Sequence, residues 1–147
     1  MATRKHVHQI ELAALPEDVF KLLITPSSIR SWWGASRAIV LAKKGGVWAA
    51  AWGNEDIPDY VSVYKIAEIE PPRRLFLTET RYFAKSGHPP FDAKMTTEFV
   101  IEALAAGTIL RVTQDGFPAD AVADEFYAAC ETGWRATFDS IEKFLAK

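Results

Sequence analysis

Cysteine is nearly absent from this sequence. Cys130 stands alone, so no internal disulfide can form and the fold must rest on its core, as expected for a cytoplasmic protein. Long apolar runs are also missing. No segment approaches the roughly 18 uninterrupted apolar residues of a membrane-spanning helix. The opening stretch MATRKHVHQIEL never runs more than two apolar residues together, which argues against a signal peptide there. Neither sign of charge dominates: 17 Lys and Arg against 19 Asp and Glu leave a net charge of −2. With no basic face along the chain, nucleic acid and membrane insertion drop out as expected partners. There is no Gly-rich phosphate loop, no paired-cysteine metal motif and no Ser-His-Asp set, so no cofactor, metal or catalytic residue is assigned. His6 and His8 share one face of a predicted strand near its fraying start, but no third ligand stands nearby.

What remains is ordinary globular material. At 147 residues, with 49% apolar and 24% charged, the chain fits one domain with a substantial core. It shows no repeat, low-complexity tract or linker, so residues 1–147 read as a single domain.

Lys5 to Ala14 alternates as a strand, with His6, His8, Ile10 and Leu12 on one face. Pro16 suits the first turn of a helix, with Glu17 and Asp18 at its positive end. That helix ends near Thr25-Pro26, and Pro26 begins a second short one closing at Trp32-Trp33-Gly34. From Ala35 onward a period of two predicts strands over Ser36 to Ala42, Val47 to Trp52, Tyr60 to Glu70, Arg74 to Phe83, Ala93 to Leu104 and Thr108 to Asp115. Turn residues separate them at Lys43-Lys44-Gly45-Gly46, Gly53 to Asp59, Pro71-Pro72 and Ala105-Ala106-Gly107. Ala84 to Asp92 (AKSGHPPFD) is the longest irregular connection, with His88 at a point where it can gate a pocket mouth. Gly116-Phe117-Pro118 is expected to break the sheet and launch the last element.

That element is the longest. From Asp120 to about Leu145 there is no proline, and Val122, Phe126, Cys130, Trp134, Phe138, Ile141 and Leu145 recur at steps of three or four, one stripe of an amphipathic helix. A helix of about 26 residues is roughly 39 Å long and must lie across something broad. Gly133 sits in its interior, where glycine is unfavourable by about 1 kcal/mol relative to alanine, directly beside bulky Trp134. Either another element packs closely there, or room is kept for a small molecule between helix and sheet.

Strands joined by short connections pair mostly antiparallel. The fold class is therefore α+β in a helix-grip layout: a curved antiparallel sheet of about seven strands, two short helices after the first strand, and a long C-terminal helix packed across the sheet.

Particular residues carry a resemblance to a known family. They are Ala14-Leu15-Pro16-Glu17-Asp18-Val19-Phe20, Ile29 with Trp32-Trp33, Gly45-Gly46 followed by Trp48, and Glu68-Ile69-Glu70-Pro71-Pro72-Arg73-Arg74-Leu75. Gly107-Thr108-Ile109-Leu110-Arg111-Val112-Thr113, Gly116-Phe117 and Gly133-Trp134 ahead of Phe144-Leu145 continue the series. In this order they resemble the START-like, or SRPBCC, superfamily, within it the branch named after the C-terminal domain of the activator of the heat-shock-protein-90 ATPase. The resemblance implies a cavity between sheet and closing helix that takes a small apolar molecule. It also admits an enzyme in the same cavity (some relatives are cyclases or hydrolases) and a co-chaperone-like module modulating an ATPase. The sequence leaves the oligomeric state open, a homodimer included. The eukaryotic co-chaperone carries an additional N-terminal domain for which this chain is expected to have no room.

The residues expected to line that cavity, or else to form plain core, are Trp48, Trp52, Phe99, Phe126 and Trp134, and Trp48 and Trp52 bracket small Ala50, leaving a gap there unless another side chain fills it. Strand parity places Glu79 and Arg81 on the face of Leu75 and Leu77, where, if that face is concave, they would pair with each other, orient a polar head group or serve an enzyme performing cyclisation, dehydration or hydrolysis; the alternative is a strand end emerging into solvent with a solvated pair. Gln114 shares a face with Leu110 and Val112; relatives often carry histidine there, and glutamine keeps only a hydrogen-bonding role. Cys130 lies on the helix stripe about one turn before Trp134, where a buried structural thiol is the expected state.

Overall fold

The computed structural model describes residues 2–85 and 94–146. The chain runs through strand β1 (Thr3–Leu12), helices α1 (Pro16–Ile24) and α2 (Pro26–Trp33), and strands β2 (Arg37–Val40), β3 (Val47–Gly53) and β4 (Pro58–Glu70). Strands β5 (Arg74–Ala84), β6 (Thr96–Leu104) and β7 (Gly107–Pro118) follow, then a 3-10 turn (Ala121–Ala123) and helix α3 (Asp124–Leu145). The strands form one antiparallel seven-stranded sheet in the order β1-β7-β6-β5-β4-β3-β2, so α1 and α2 carry the chain from one edge to the other. This is the α+β helix-grip architecture. The predicted loop from Ala84 to Asp92 lies, after its first two residues, outside the described residues, and His88 with it.

Tryptophans decide where the two short helices sit. The last carbonyls of a helix have no intrahelical partner. In α1 they are taken by side chains: Thr25 Oγ1 donates to the Lys21 carbonyl at 2.6 Å, the Trp32 indole to Leu22 at 2.9 Å and the Trp48 indole to Leu23 at 2.7 Å. Trp52 Nε1 likewise donates to the Trp33 carbonyl that ends α2, at 3.2 Å. The rings fill the core while their N–H groups cap helices, which ties α1 and α2 to the sheet at defined points.

Alternation supplies the rest of the core. Met95, Thr97, Phe99 and Ile101 turn inward before and along β6, and Thr108, Leu110, Val112 and Gln114 do so on β7. The expected break at Gly116-Phe117-Pro118 does not occur. Gly116 takes φ +91°, Arg4 pairs with Phe117 while His6 pairs with Gln114, and β7 absorbs an extra residue as a bulge that carries the strand on to Pro118. A Cβ at Gly116 would run into the Lys94 carbonyl, and beyond the bulge Phe117 is fully buried.

Helix α3 begins at Asp124 rather than Asp120, so Val122 falls in the 3-10 turn and is exposed instead of joining the stripe. Its start is fastened to the edge strand. Arg4 Nη2 lies 2.6 Å from Asp124 Oδ1, its guanidinium stands 4.4 Å over the Tyr127 ring, and the Tyr127 hydroxyl donates to the Lys5 carbonyl at 2.7 Å.

His6 does not lie at a fraying end. It is buried, with Nδ1 3.0 Å from His8 Nε2 and its ring against Phe117 and Tyr127. Among the described residues no group of three or more His, Cys, Asp or Glu is placed to hold a metal. Burial, then His8, holds His6 below the usual imidazole value of 6.5, against the pull of Glu131. His8 is also held below it, by burial first and then by Arg135, again against Glu131. The unfolded chain therefore binds protons more readily than the folded one. The stability these rings contribute is complete above about pH 6.5 and declines as acid carries the pH through their lower folded values. Urea midpoints at pH 8 and pH 5.5 are expected to show this fall, and replacing both histidines with glutamine to flatten that part of it.

Candidate functional site

The expected gap beside Ala50 is filled. Trp33, from the end of α2, meets Trp48 and Trp52 with ring centroids at 5.4 and 4.9 Å, and stacks against Trp134 at 6.2 Å. The indoles interlock, and Trp48 and Phe99 are each 1% exposed. These two belong to the core behind the site rather than to its wall. Chemistry explains it for Trp48, because its indole N–H is engaged in capping α1.

Open space lies to the side of that cluster, as a pocket of about 210 Å³. Helix α3 forms its roof with Phe126, Cys130, Gly133, Trp134 and Thr137, a single stripe at helical spacing. Trp33 and Trp52 close one end, Tyr60, Ser62 and Tyr64 of β4 with Tyr82 of β5 make a wall, and Gln114 of β7 adds a buried amide. The structure thus brings together Trp52, Gln114, Phe126, Cys130 and Trp134 from the candidates, and adds Trp33, the three tyrosines, Ser62 and Thr137. Tyr60, Ser62 and Tyr64 share a parity on β4 that was readable; their adjacency to Tyr82 was not.

Glu79 and Arg81 are not in the pocket, which corrects the reading from parity. Lys65 pairs with Thr78 while Val63 pairs with Arg81, so β5 carries an extra residue there, and Glu79 takes a positive φ of 50°. A one-residue bulge reverses every later side chain. Tyr82 therefore turns inward, Arg81 is exposed, and Glu79 lies on the outer face with its side chain 65% exposed, 3.2 Å from Lys65 Nζ. An enzyme built on these two residues loses both groups.

The polar groups that do face the pocket are neutral. Among the described residues no charged side chain lines it. Gln114 is an adapter: its Oε1 accepts from the Trp134 indole at 2.8 Å and its Nε2 donates to Thr97 Oγ1 at 3.2 Å. Burial pushes the Cys130 thiol up to about 12, so it stays protonated and is no nucleophile at neutral pH. Burial likewise pushes the Tyr64 phenol up to about 12 and raises those of Tyr60 and Tyr82, which keeps all three as O–H donors.

Gly133 resolves in favour of space. A Cβ added there would meet no heavy atom within 4 Å, so no neighbouring element demands the glycine. Gly133→Ala is expected to stabilise the protein by about 0.5 to 1 kcal/mol through helix propensity alone, measured as a higher denaturant midpoint with unchanged slope.

Comparison with known proteins fits this architecture. The sequence profile of the family described as Activator of Hsp90 ATPase homolog 1-like protein matches residues 13–146. No curated protein matches the chain. Among solved structures, a Mesorhizobium loti protein is 23% identical over 97% of both chains, with a TM-score of 0.78. A Rhizobium leguminosarum protein is 20% identical, with 99% of this chain and 95% of that one covered and a TM-score of 0.78. The Aha1 dimer from Colwellia psychrerythraea, a solution structure, is 17% identical over 95% of this chain and 93% of that one, with a TM-score of 0.70. At these identities the likeness establishes the fold.

Proposed function

This chain belongs to the family of Activator of Hsp90 ATPase homolog 1-like proteins, and on that premise we propose that it binds a small, largely apolar molecule in the pocket between sheet and α3. The observation that carries the proposal is the lining: aromatic rings and neutral polar groups around about 210 Å³, with no charged side chain among the described residues. Engineered apolar cavities of about 150 Å³ accept benzene, whereas pockets for drug-sized ligands run to about 300–1,000 Å³. A guest of one ring with a short substituent fits between these limits. A cytoplasmic location belongs to the same proposal and rests on the lone cysteine.

Native mass spectrometry and tryptophan fluorescence against a library of single-ring compounds test it. The expected result is one molecule bound per chain with a Kd between about 1 μM and 1 mM, or roughly −8 to −4 kcal/mol. Cys130→Phe, which puts a ring into the space, is expected to abolish binding while the fold persists. A library without a binder, or undiminished binding by Cys130→Phe, refutes the proposal.

A second reading, stimulation of an Hsp90 ATPase, has the family's description in its favour. The ATPase rate of Hsp90 with and without the chain decides it, and an unchanged rate removes it. The dimer of the Colwellia relative extends to a homodimer here as a proposal that sedimentation tests.

A further inference from the structure

The two edges of the sheet are finished differently. β1 is tied to the start of α3 through Arg4 and Lys5. β2 forms the other edge, and among the described residues no backbone bond reaches its free side. The Leu41 N–H donates to the Val47 carbonyl at 2.8 Å, and the same register continues through Ile39 with Ala49 and Arg37 with Ala51. Residues of an antiparallel strand bond alternately to one side and the other, so Ala38 and Val40 turn their N–H and C=O groups away from β3. Four backbone groups in a row without a protein partner are a template for a further strand.

The side chains beside that edge define what kind of strand fits. Ala50 and Trp48, the ladder partners of Ala38 and Val40, are buried in the core, so Arg37 and Ile39 stand on the opposite face of the sheet. Ile39 is 62% exposed there, and Leu41, next at the same parity, is exposed as well. Cations flank this apolar pair. Arg37 precedes it and Lys43 follows, neither in an ion pair among the described residues, while Lys44 meets Glu68 at 3.4 Å. The imbalance is wider than the strand. Residues 19–54, which hold most of α1 and all of α2, β2 and β3, contain Lys21, Arg30, Arg37, Lys43 and Lys44 but not one Asp or Glu.

That charge disfavours a second copy as the occupant. Two β2 strands paired about a two-fold axis would gather Arg37, Lys43 and Lys44 of both chains at one seam, with no acidic residue in either stretch to answer them. Nucleic acid fits no better, because it has no amide groups with which to extend a ladder.

We propose that β2 is a docking edge for an extended acidic segment of another protein, added as an eighth strand. Its apolar side chains lie over Ile39 and Leu41, and its carboxylates stand beside Arg37 and Lys43. None of these four residues lines the pocket, so the surface is independent of any ligand there.

Fluorescence polarisation with the full chain and two labelled peptides tests this: ETVTVTE, a palindrome that offers the same pattern in either direction, and KTVTVTK. The acidic peptide is expected to saturate and to bind at least about tenfold more tightly than the basic one, which sets like charges side by side. Ala38→Pro removes an N–H on the free side of the strand, where proline is tolerated, and is expected to abolish binding. Arg37→Glu with Lys43→Glu is expected to reverse the preference between the peptides, and decides the matter if Ala38→Pro does not fold. Equal binding of the two peptides, binding of neither, or undiminished binding by Ala38→Pro overturns the proposal. So does a dimer in sedimentation that Ala38→Pro dissociates, because a second copy would then hold the edge.

Discussion

Trp48→Ala is expected to remove about 3–5 kcal/mol of stability, a large share of the roughly 5–15 kcal/mol that holds a typical domain together. Two separate terms make the loss large. The ring is 1% exposed and packs against Trp33, Tyr64 and Phe99, with centroids at 5.4, 5.4 and 6.5 Å. Its indole also satisfies the Leu23 carbonyl at 2.7 Å, so truncation leaves a buried helix end without a partner. Trp48→Phe separates the terms: it keeps most of the apolar area and orphans the carbonyl, for an expected loss of about 1–3 kcal/mol. Denaturant unfolding with an unchanged slope measures both. An alanine variant within about 1 kcal/mol of the parent, well below the core range, would show that the ring is loosely held.

The second large effect concerns Gln114. Gln114→Leu is expected to destabilise by about 2–4 kcal/mol, because two partners, the Trp134 N–H and the Thr97 hydroxyl, are left buried and unpaired at about 1–3 kcal/mol each. Both are enclosed, Trp134 at 5% and Thr97 at 4% exposure. Combining Gln114→Leu with Trp134→Phe removes one orphan along with its former acceptor, so the double variant should be more stable than the two separate losses predict. The coupling is expected to be about 1–2 kcal/mol in a double-mutant cycle. Additive losses would mean that the bond at 2.8 Å contributes nothing to stability.

Gln114 and Glu79 also show where reading a sequence succeeds and where it stops. Both were placed by parity. For Gln114 parity worked because β7 keeps strict alternation from Thr108 to Gln114. For Glu79 it failed because β5 takes in one extra residue after Thr78, and no glycine marks the site. In β7 the comparable bulge lies at Gly116, which was legible as a special residue but not as a bulge. Trp33 is a different case. Its place beside Trp48 and Trp52 depends on how α2 lies over a sheet whose strands are remote in sequence.

The order of elements, the helix-grip class and most inward residues were settled by the sequence alone. Periods of two and of three to four follow from the covalent geometry of strand and helix, and each is complete within a few residues. The position of the pocket, its tyrosine wall and the exclusion of Glu79 and Arg81 were decided only by the tertiary structure. An empty space is what remains after distant side chains have packed, and one unannounced bulge exchanges the residues that border it for those that face water.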